Sequence, residues 1–360
     1  MPEVSIILKT NRTNEDTGFK EWKDAINRKD EKIYDNPIVN ADFINLLEET
    51  FNDADSFIEP TLNSLANSSF KDFEVVIVHR KPDAIIDSVK KYNGFLSIKL
   101  IKEKHSIWHD LDEKYCTISN AINTGIIWSD GDLLISMDDC SLLPRQLIKE
   151  LYRMYISGMY GMPKAIKYSF AEGPQFSDSW TLREYNKRVL KETLPWRMKP
   201  GEVFGTGWGY CLPFSLQHAL AVNGFDESLD GALLDEDGDF CDRVAMISSM
   251  KRIITIYPIY FFGHKYSNVK VGKLVRYNKH FRVILGQKPF PPKRVVANVW
   301  RPSKEECERY KKWHIQMYGE IDENFDACMR VPTFNLSELR EKRQVKKSGS
   351  KDIGELILSI

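Results

Sequence analysis

Apolar runs and helical repeats alternate along the chain between residues 4 and 137. Four short apolar runs predict buried strands, over residues 4–10, 73–78, 97–101 and 133–137. Apolar residues at helical spacing predict helices between these runs, over residues 58–66, 84–92 and 119–128. Strands that alternate with helices favour a mainly parallel central sheet with helices on both faces, which is an α/β fold.

The pattern is less regular in the rest of the chain. Residues 13–56 are polar and acidic, and they predict an insertion that carries one or two short helices. Residues 155–210 are rich in Gly, Pro, Trp and Tyr and predict strands joined by long loops. Three further helices and one strand are expected, the helices over 144–154, 235–250 and 304–318 and the strand over 252–262.

Composition indicates a folded enzyme-sized protein. The chain has 360 residues, of which 42% are hydrophobic and 28% charged, and it holds no low-complexity tract that would favour disorder. No apolar stretch reaches the roughly 18 residues that a membrane span needs, and the first residues lack a signal-peptide pattern. The six cysteines form no CxxC pair, as is typical of a reducing compartment. We therefore expect a cytoplasmic protein without a transmembrane segment.

Charge is distributed unevenly although the net charge is zero. Residues 265–360 hold 21 Lys and Arg against 11 Asp and Glu, a net charge of +10, so residues 1–264 carry −10. The sequence thus predicts a domain over 1–264, including the insertion 13–56, and a basic C-terminal extension over 265–360. Such an extension can bind nucleic acid or a membrane surface, or it can simply be a solvated helical surface.

Two adjacent carboxylates, Asp138 and Asp139, directly follow the predicted strand 133–137. Ligands of parallel sheets bind beyond the carboxyl ends of the strands, and hard divalent cations prefer oxygen ligands. Asp138 and Asp139 are therefore candidates for a Mg²⁺ or Mn²⁺ site that also binds a diphosphate. The alternative is a turn or a helix N-cap, where Asp is common.

A second acidic cluster includes Glu236 and Asp237 and lies at the start of the predicted helix 235–250. A carboxylate there can serve as the general base that takes a proton from an acceptor hydroxyl. The alternative is that these acids only complement the helix dipole. His264 ends the strand-like run before it and is a candidate metal ligand, or else an ordinary hydrogen-bonded residue.

The order of these segments resembles that of glycosyltransferase family 2. The resemblance starts with the strand and loop of residues 4–12 and continues with the helix and strand of residues 64–78. It includes Asn120 to Gly125 with residues 131–133, which precede the acidic motif of Asp138 and Asp139. It covers residues 1–12 and about 57–265. It implies a GT-A fold, Rossmann-like with a mainly parallel central sheet flanked by helices, here with a C-terminal extension.

The resemblance also implies a function. It predicts an inverting hexosyl- or pentosyltransferase that uses Mn²⁺ or Mg²⁺ and a nucleoside diphosphate sugar, with a UDP-sugar favoured. Asp138 would contact the ribose or the metal, and Asp139 and His264 would bind the metal. Asp237 would be the catalytic base and Glu236 would hold the acceptor hydroxyls. The nucleotide would be lined by Thr10, Asn11 and Arg12.

This sequence departs from the family pattern at two places. His79 and Arg80 stand where the family usually has two aspartates, one of which reads the uracil edge, so the donor base stays open. Ile122 replaces the usual arginine in the helix before the metal motif, which leaves Lys9 or Arg12 as candidates for diphosphate contacts.

The acceptor and two other functions also stay open. The acceptor is a glycan or another hydroxyl compound. Nucleic acid is one of the candidates, because the C-terminal extension is basic. A nucleotidyltransferase would share the α/β layout and the carboxylates, but residues 9–12 lack the glycines expected after its first strand. A noncatalytic nucleotide-sugar-binding module would not require Asp139, Asp237 and His264 together.

Overall fold

A computed structural model describes most of the chain. It covers residues 1–10, 19–30, 34, 41–111, 115, 117–163, 165–170, 174–175, 211–230, 236–262, 295–299, 303–305, 308, 312, 315–316, 331–345 and 355–359.

The described strands are β1 (Val4–Thr10), β2 (Phe73–His79), β3 (Ser97–Lys102), β4 (Leu133–Asp138), β5 (Ser141–Leu142), β6 (Met159–Met162), β7 (Ala165–Phe170), β8 (Pro174–Gln175), β9 (Cys211–Ser215), β10 (Lys251–Ile254), β11 (Ile259–Phe262) and β12 (Glu355–Ser359). The described helices are α1 (Phe19–Asn27), α2 (Ala41–Phe51), α3 (Glu59–Ala66), α4 (Ile86–Lys90), α5 (Ile107–Leu111), α6 (Ile118–Trp128), α7 (Leu147–Ile156), α8 (Leu216–Ala221), α9 (Glu236–Ile247) and α10 (Leu336–Val345).

Six strands form the central sheet, in the order β12-β3-β2-β1-β4-β9. The four inner strands are parallel to one another, and β12 and β9 run antiparallel at the two edges. The register places Lys9 beside Asp138 and Thr10 beside His79 at the carboxyl ends of the strands. The predicted α/β class, with a mainly parallel central sheet flanked by helices, is confirmed.

The two faces of β1 pack against different layers, because side chains alternate along a strand. Val4, Ile6 and Leu8 belong to the core that includes α1, α2 and α3, whereas Ile7 belongs to the core on the side of α6. A Cβ atom added at Gly125 of α6 would collide with the side chain of Ile7. Helix and strand therefore lie in close contact at this point.

The predicted insertion 13–56 contributes the helices α1 and α2, as expected, and both pack into the core. The rings of Trp22 and Phe51 lie 6.4 and 5.1 Å from that of Phe262, and the ring of Phe43 lies 4.8 Å from that of Tyr260. These aromatic contacts hold α1 and α2 against β11, whose chain end leads towards His264.

Two predicted elements differ from the structure. The single strand expected over 252–262 is two strands, because residues 255–258 turn, with the Thr255 hydroxyl donating to the Tyr257 carbonyl oxygen at 2.7 Å. Pro258 lacks an N–H for a strand ladder. β10 pairs with β6, whereas β11 pairs with β7 and β5 in another sheet. The helix expected over 84–92 is only the short α4, after a 3₁₀ turn at Pro82–Ala84.

The described parts of the C-terminal extension pack on the central layer. β12 adds to the edge of the sheet beside β3, and α10 packs on α6. Arg340 donates to the Ile126 carbonyl oxygen at 2.8 Å, and Arg343 donates to that of Ile127 at 2.5 Å and forms an ion pair with Asp130. Two of the basic residues thus neutralise the carbonyl end of α6, where helices favour cations. The division at residue 264 stays a prediction.

No helix within the described ranges is both long enough and apolar enough to cross a membrane.

Candidate active site

The site begins with an ion pair between two neighbouring strands. Because β1 and β4 pair in register at Lys9 and Asp138, the two side chains leave the sheet side by side. Lys9 Nζ lies 2.7 Å from Asp138 Oδ1, and the side chains are only 10% and 16% exposed. At that exposure the pair is screened by water and salt much less than a surface pair.

Asp139 is buried in the turn that follows β4. The hydroxyl of Thr61, on α3, donates a 2.7 Å hydrogen bond to the main-chain carbonyl oxygen of Asp139. On the other side of the turn, the N–H of Phe262 donates to the Cys140 carbonyl oxygen at 3.0 Å. The turn is thus held by an α-helix and by β11, so the position of the Asp139 backbone is fixed from both sides.

His264, the predicted second metal ligand, lies outside the described residues. Phe262, two residues before it, donates its N–H to the carbonyl oxygen of Cys140, which directly follows Asp139. The role of His264 stays a prediction.

Glu236 and Asp237 open α9 and lie at the same site as Lys9 and Asp138. Burial, and next the charge of Asp237, raise the pKa of Glu236 to about 7, and Lys9 and Asp138 also act on it electrostatically. Glu236 is 9% exposed, and its buried Oε2 accepts no hydrogen bond from the described part of the chain. Asp237 Oδ1 accepts a hydrogen bond from the Gly238 N–H at 2.6 Å. The structure therefore brings together two acidic motifs that lie far apart in the sequence.

Thr10 ends β1 on the opposite face from Lys9. It is 3% exposed, and its buried hydroxyl has no hydrogen-bond partner among the described residues. A buried hydroxyl of this kind is suited to a ligand, since buried polar groups are nearly always satisfied. Asn11 and Arg12, also predicted to line the nucleotide, lie outside the described residues.

The charges at the site suit a divalent cation. Asp138 and Glu236 interact there with the positive charge of Lys9, and Asp237 interacts with Glu236, so negative charge is in excess. Within the described ranges, no three His, Cys, Asp or Glu side chains converge as a ready metal cluster. A cation bound by Asp139 would therefore complete its shell with oxygen atoms of a diphosphate or with residues outside those ranges.

Sequence reasoning missed a buried polar network behind the acidic site. Lys104 Nζ lies 2.6 Å from Glu227 Oε1, and Asn123 Nδ2 donates to the same oxygen at 2.8 Å. The carboxylate of Asp230 accepts hydrogen bonds from the main-chain N–H groups of Ser119 and Asn120, at 2.7 and 3.1 Å. Burial, chiefly, raises the pKa of Asp230 well above its usual value.

This network fixes the segment that leads into α9. Its members lie just after the end of β3, on α6 and in residues 225–230. Each of these pairings joins residues more than 100 positions apart in the sequence. Spacing along the chain therefore carried no signal of the network. The sequence indicates the network at one kind of position only, where α6 carries a polar residue such as Asn120 or Asn123 among its apolar residues.

Arg80, which stands at a departure from the family pattern, belongs to a related network. Its Nε lies 3.3 Å from Glu103 Oε2, and Nη2 donates to the Thr117 hydroxyl at 2.9 Å and to the Tyr115 carbonyl oxygen. His79 Nδ1 accepts from the Lys81 N–H at 2.9 Å, which places a ring proton on Nε2. Arg80 thus joins β2 to the chain before α6.

Comparisons with known proteins give structural similarity alone. No protein-family description matches the chain, and no curated protein matches it significantly. The chain is similar to the crystal structure of S. aureus TarS 1-349 in complex with UDP-GlcNAc, at 14% identity over 98% of this chain and 88% of that chain, with a TM-score of 0.46. The same protein in complex with UDP gives 14% identity over 90% and 77%, with a TM-score of 0.46.

A third similar structure is GalNAc-T7 with UDP, GalNAc and Mn²⁺. It is 12% identical, covers 96% of this chain and 55% of its own, and has a TM-score of 0.46. Because these TM-scores are below 0.5, the functional proposal rests on the residues of the site.

Proposed function

We propose that this chain is an inverting, metal-dependent glycosyltransferase, which transfers a sugar from a nucleoside diphosphate sugar to an acceptor hydroxyl. The supporting observation is that Glu236, with Asp237 next to it, interacts electrostatically with Lys9 and Asp138 at the carboxyl ends of β1 and β4, directly before Asp139. A donor-binding pair of carboxylates and a proton-accepting pair are the two groups that such a transfer requires. A UDP-sugar is the favoured donor, as the resemblance to glycosyltransferase family 2 implies.

On the donor side, Thr10, Asn11 and Arg12 line the nucleotide and Asp138 contacts the ribose or the metal. Asp139 and His264 bind Mn²⁺ or Mg²⁺. When bound, this cation supplies Lewis-acid neutralisation of the charge that develops on the diphosphate. The hydrogen bond between Phe262 and Cys140 supports the pairing, because it fastens the chain that leads to His264 beside the Asp139 turn.

On the acceptor side, Asp237 is the general base. The acceptor oxygen attacks the anomeric carbon opposite the diphosphate, a new carbon–oxygen bond forms, and the bond to the phosphate oxygen breaks. The proton of the acceptor hydroxyl moves to Asp237. Glu236 holds the acceptor hydroxyls, and with a pKa of about 7 its carboxyl group can donate or accept a hydrogen bond near neutral pH.

The acceptor is a glycan or another hydroxyl compound, with a nucleic acid as the second candidate. The basic extension supports the second candidate, but Arg340 and Arg343 already bind the end of α6. Phosphate binding would therefore depend on other basic residues of 265–360. Salt-dependent binding to DNA would favour this acceptor.

A hydrolysis screen tests the proposal. Purified protein is incubated with Mn²⁺ and a panel of UDP-, GDP- and CMP-sugars, and release of the nucleotide is measured. We expect one donor to be hydrolysed and the activity to fall at least about 100-fold in Asp139→Asn. Asp87→Asn, at an exposed carboxylate on α4, serves as the matched control and should keep the activity of the wild type.

The screen also separates the alternatives. A nucleotidyltransferase would join a sugar phosphate to a nucleoside triphosphate and release pyrophosphate. Pyrophosphate release from this substrate pair is measured in parallel. A binding module would bind one donor without cleaving it. Absence of both binding and cleavage for the whole panel, with either metal, would contradict the proposal.

A further inference from the structure

Lys9 is a mostly buried cation inside an acidic site. Its ammonium group pairs with Asp138 at 2.7 Å, and its charge also acts on Glu236 and on the thiol of Cys211 in β9. The backbone of Lys9 is held on both sides, because β1 pairs with β2 and with β4. The long side chain, by contrast, can reorient about its rotatable bonds.

The ion pair is not required to join β1 to β4. The parallel ladder already pairs the two strands over six positions, from Val4 and Leu133 to Lys9 and Asp138. A mostly buried ion pair also contributes little net stability, because desolvation offsets the attraction of the charges. The position of the pair, at the carboxyl ends of parallel strands where ligands bind, favours a role in binding.

An ammonium group at this position suits a phosphate ligand. Lysine binds phosphate as a point charge, through three donors. Asp138 is at the same time a candidate contact for the ribose or the metal, so Lys9 and a divalent cation would compete for its carboxylate. A ligand that brings both phosphate and cation offers a new partner to each member of the pair.

We propose that Lys9 is the diphosphate-binding cation of the site, held by Asp138 in the donor-free protein and transferred to the donor diphosphate when the nucleotide binds with its metal. This inference rests on the proposed function, and it adds a residue and a substrate class to it: a nucleoside diphosphate is preferred over a nucleoside. Lys9 is a binding residue, and its removal has opposite effects on two ligands. The diphosphate loses a cationic partner, whereas the metal ion loses a competitor.

Calorimetric titration of the purified full-length protein tests this exchange. Three ligands are titrated separately: Mn²⁺ alone, uridine, and UDP at saturating Mn²⁺. Wild type is compared with Lys9→Met, which keeps the length of the stem without its charge, and with Lys9→Arg. Lys102→Met is the matched control, since Lys102 ends β3 two strands away and is exposed.

We expect Lys9→Met to weaken UDP binding by about tenfold or more and to change uridine binding by less than about twofold. The same variant should bind Mn²⁺ alone at least about threefold more tightly, because a positive charge has left Asp138. Lys9→Arg should keep UDP affinity within about fivefold of the wild type. Lys102→Met should match the wild type with all three ligands.

Three results would overturn the assignment of Lys9. The first is that Lys9→Met binds UDP as tightly as Lys102→Met does. The second is that Lys9→Met loses equal affinity for UDP and for uridine, and the third is that its affinity for Mn²⁺ does not rise. In each case a wild type that binds UDP leaves the proposed function in place. A wild type that binds none of UDP, GDP and CDP with Mn²⁺ would instead contradict the proposed function itself, and the assignment of Lys9 with it.

Discussion

The hydroxyl of Thr61 donates a 2.7 Å hydrogen bond to the main-chain carbonyl oxygen of Asp139, although the two residues lie on different elements. Thr61→Val removes the hydroxyl, so the carbonyl oxygen would lose its Thr61 partner. The loss matters because both residues are buried. A buried acceptor left without a partner costs about 1–3 kcal/mol. We expect Thr61→Val to lower the free energy of unfolding by that amount, measured by urea denaturation, and to weaken Mn²⁺ binding several-fold.

Thr61→Ser provides the control, because it keeps the hydroxyl and removes only a methyl group. It should retain most of the Mn²⁺ affinity while losing some stability from the small cavity. Equal Mn²⁺ affinity in Thr61→Val and Thr61→Ser would show that the hydrogen bond does not position the Asp139 turn.

The buried pair of Lys104 and Glu227 should be sensitive to the loss of either charge. Both side chains are 4% exposed, and removing one partner of such a pair leaves an uncompensated buried charge. We expect Lys104→Met to destabilise the protein by about 3–5 kcal/mol in urea denaturation. Arg153→Met, which breaks the surface pair with Glu150, should cost less than about 0.5 kcal/mol.

A compensating change distinguishes the charge from the packing. The double variant Lys104→Met with Glu227→Leu removes both charges, so it should recover part of the stability that Lys104→Met loses. No recovery would mean that Asn123 satisfies the Glu227 carboxylate without help from Lys104.

The sequence predicted most of the central sheet because buried strands leave strong apolar runs. β1, β2, β3 and β4 lie within one residue of their predicted ends, and α6 starts one residue early. The break at residues 255–258 was missed, because the apolar character of 252–262 continues through Tyr257 and outweighed the single Pro258.

Site chemistry was predictable only where it is local in the sequence. Asp138, Asp139, Glu236 and Asp237 stood out because each pair is adjacent and borders a regular element. The pairing of Lys104 with Glu227 depends on tertiary structure, and no local pattern announces it.

The contact between α6 and β1 brings Ile122 towards Lys9. Gly125 of α6 contacts Ile7 of β1, and α6 starts near the carboxyl ends of the strands, where the Lys104 N–H donates to the Thr124 hydroxyl. Ile122 lies about one helical turn, about 5 Å, from Gly125 towards that end of α6. Lys9 lies two residues, about 7 Å, from Ile7 along β1 in the same direction. Lys9, the cation proposed to bind the diphosphate, therefore lies near Ile122, where the resemblance to glycosyltransferase family 2 implies an arginine.

Gly224 and Gly158 form a matched pair of left-handed glycines, with φ angles of 72° and 76°. A Cβ atom at Gly224 would collide with Asn123, whereas one at Gly158 would meet nothing within 4 Å. Gly158→Ala should therefore cost only the backbone strain, about 1 kcal/mol. Gly224→Ala should cost about 2 kcal/mol more, because Asn123 would lose hydrogen bonds to Phe225.

Activity should separate the two glycines further. Gly224 precedes the segment that leads into α9, so Gly224→Ala should lower the rate of donor hydrolysis, whereas Gly158→Ala should leave it unchanged. Equal thermal shifts in the two variants, measured by calorimetry, would contradict the role assigned to the contact with Asn123.

Glu236 should make the folded protein less stable as the pH rises. Its pKa is about 7 in the folded state against 4.5 for an ordinary Glu, so the folded state binds the proton more tightly than the unfolded state. The unfolding free energy therefore falls between about pH 4.5 and pH 7, and the loss is complete above that range. Glu236→Gln cannot ionise, and it should exceed the stability of the wild type by up to about 3 kcal/mol at pH 8 but match it near pH 4.5.

Urea denaturation at several pH values measures this difference, and Glu341→Gln, at an exposed position of α10, controls for the loss of a carboxylate. The control should track the wild type across the range. A difference for Glu236→Gln that does not grow with pH would mean that Glu236 is not held in its buried position. Growth of the difference together with loss of donor transfer would instead show that Glu236 is retained for function at the expense of stability, because a buried carboxylate that stabilised only the fold would not be improved by Gln.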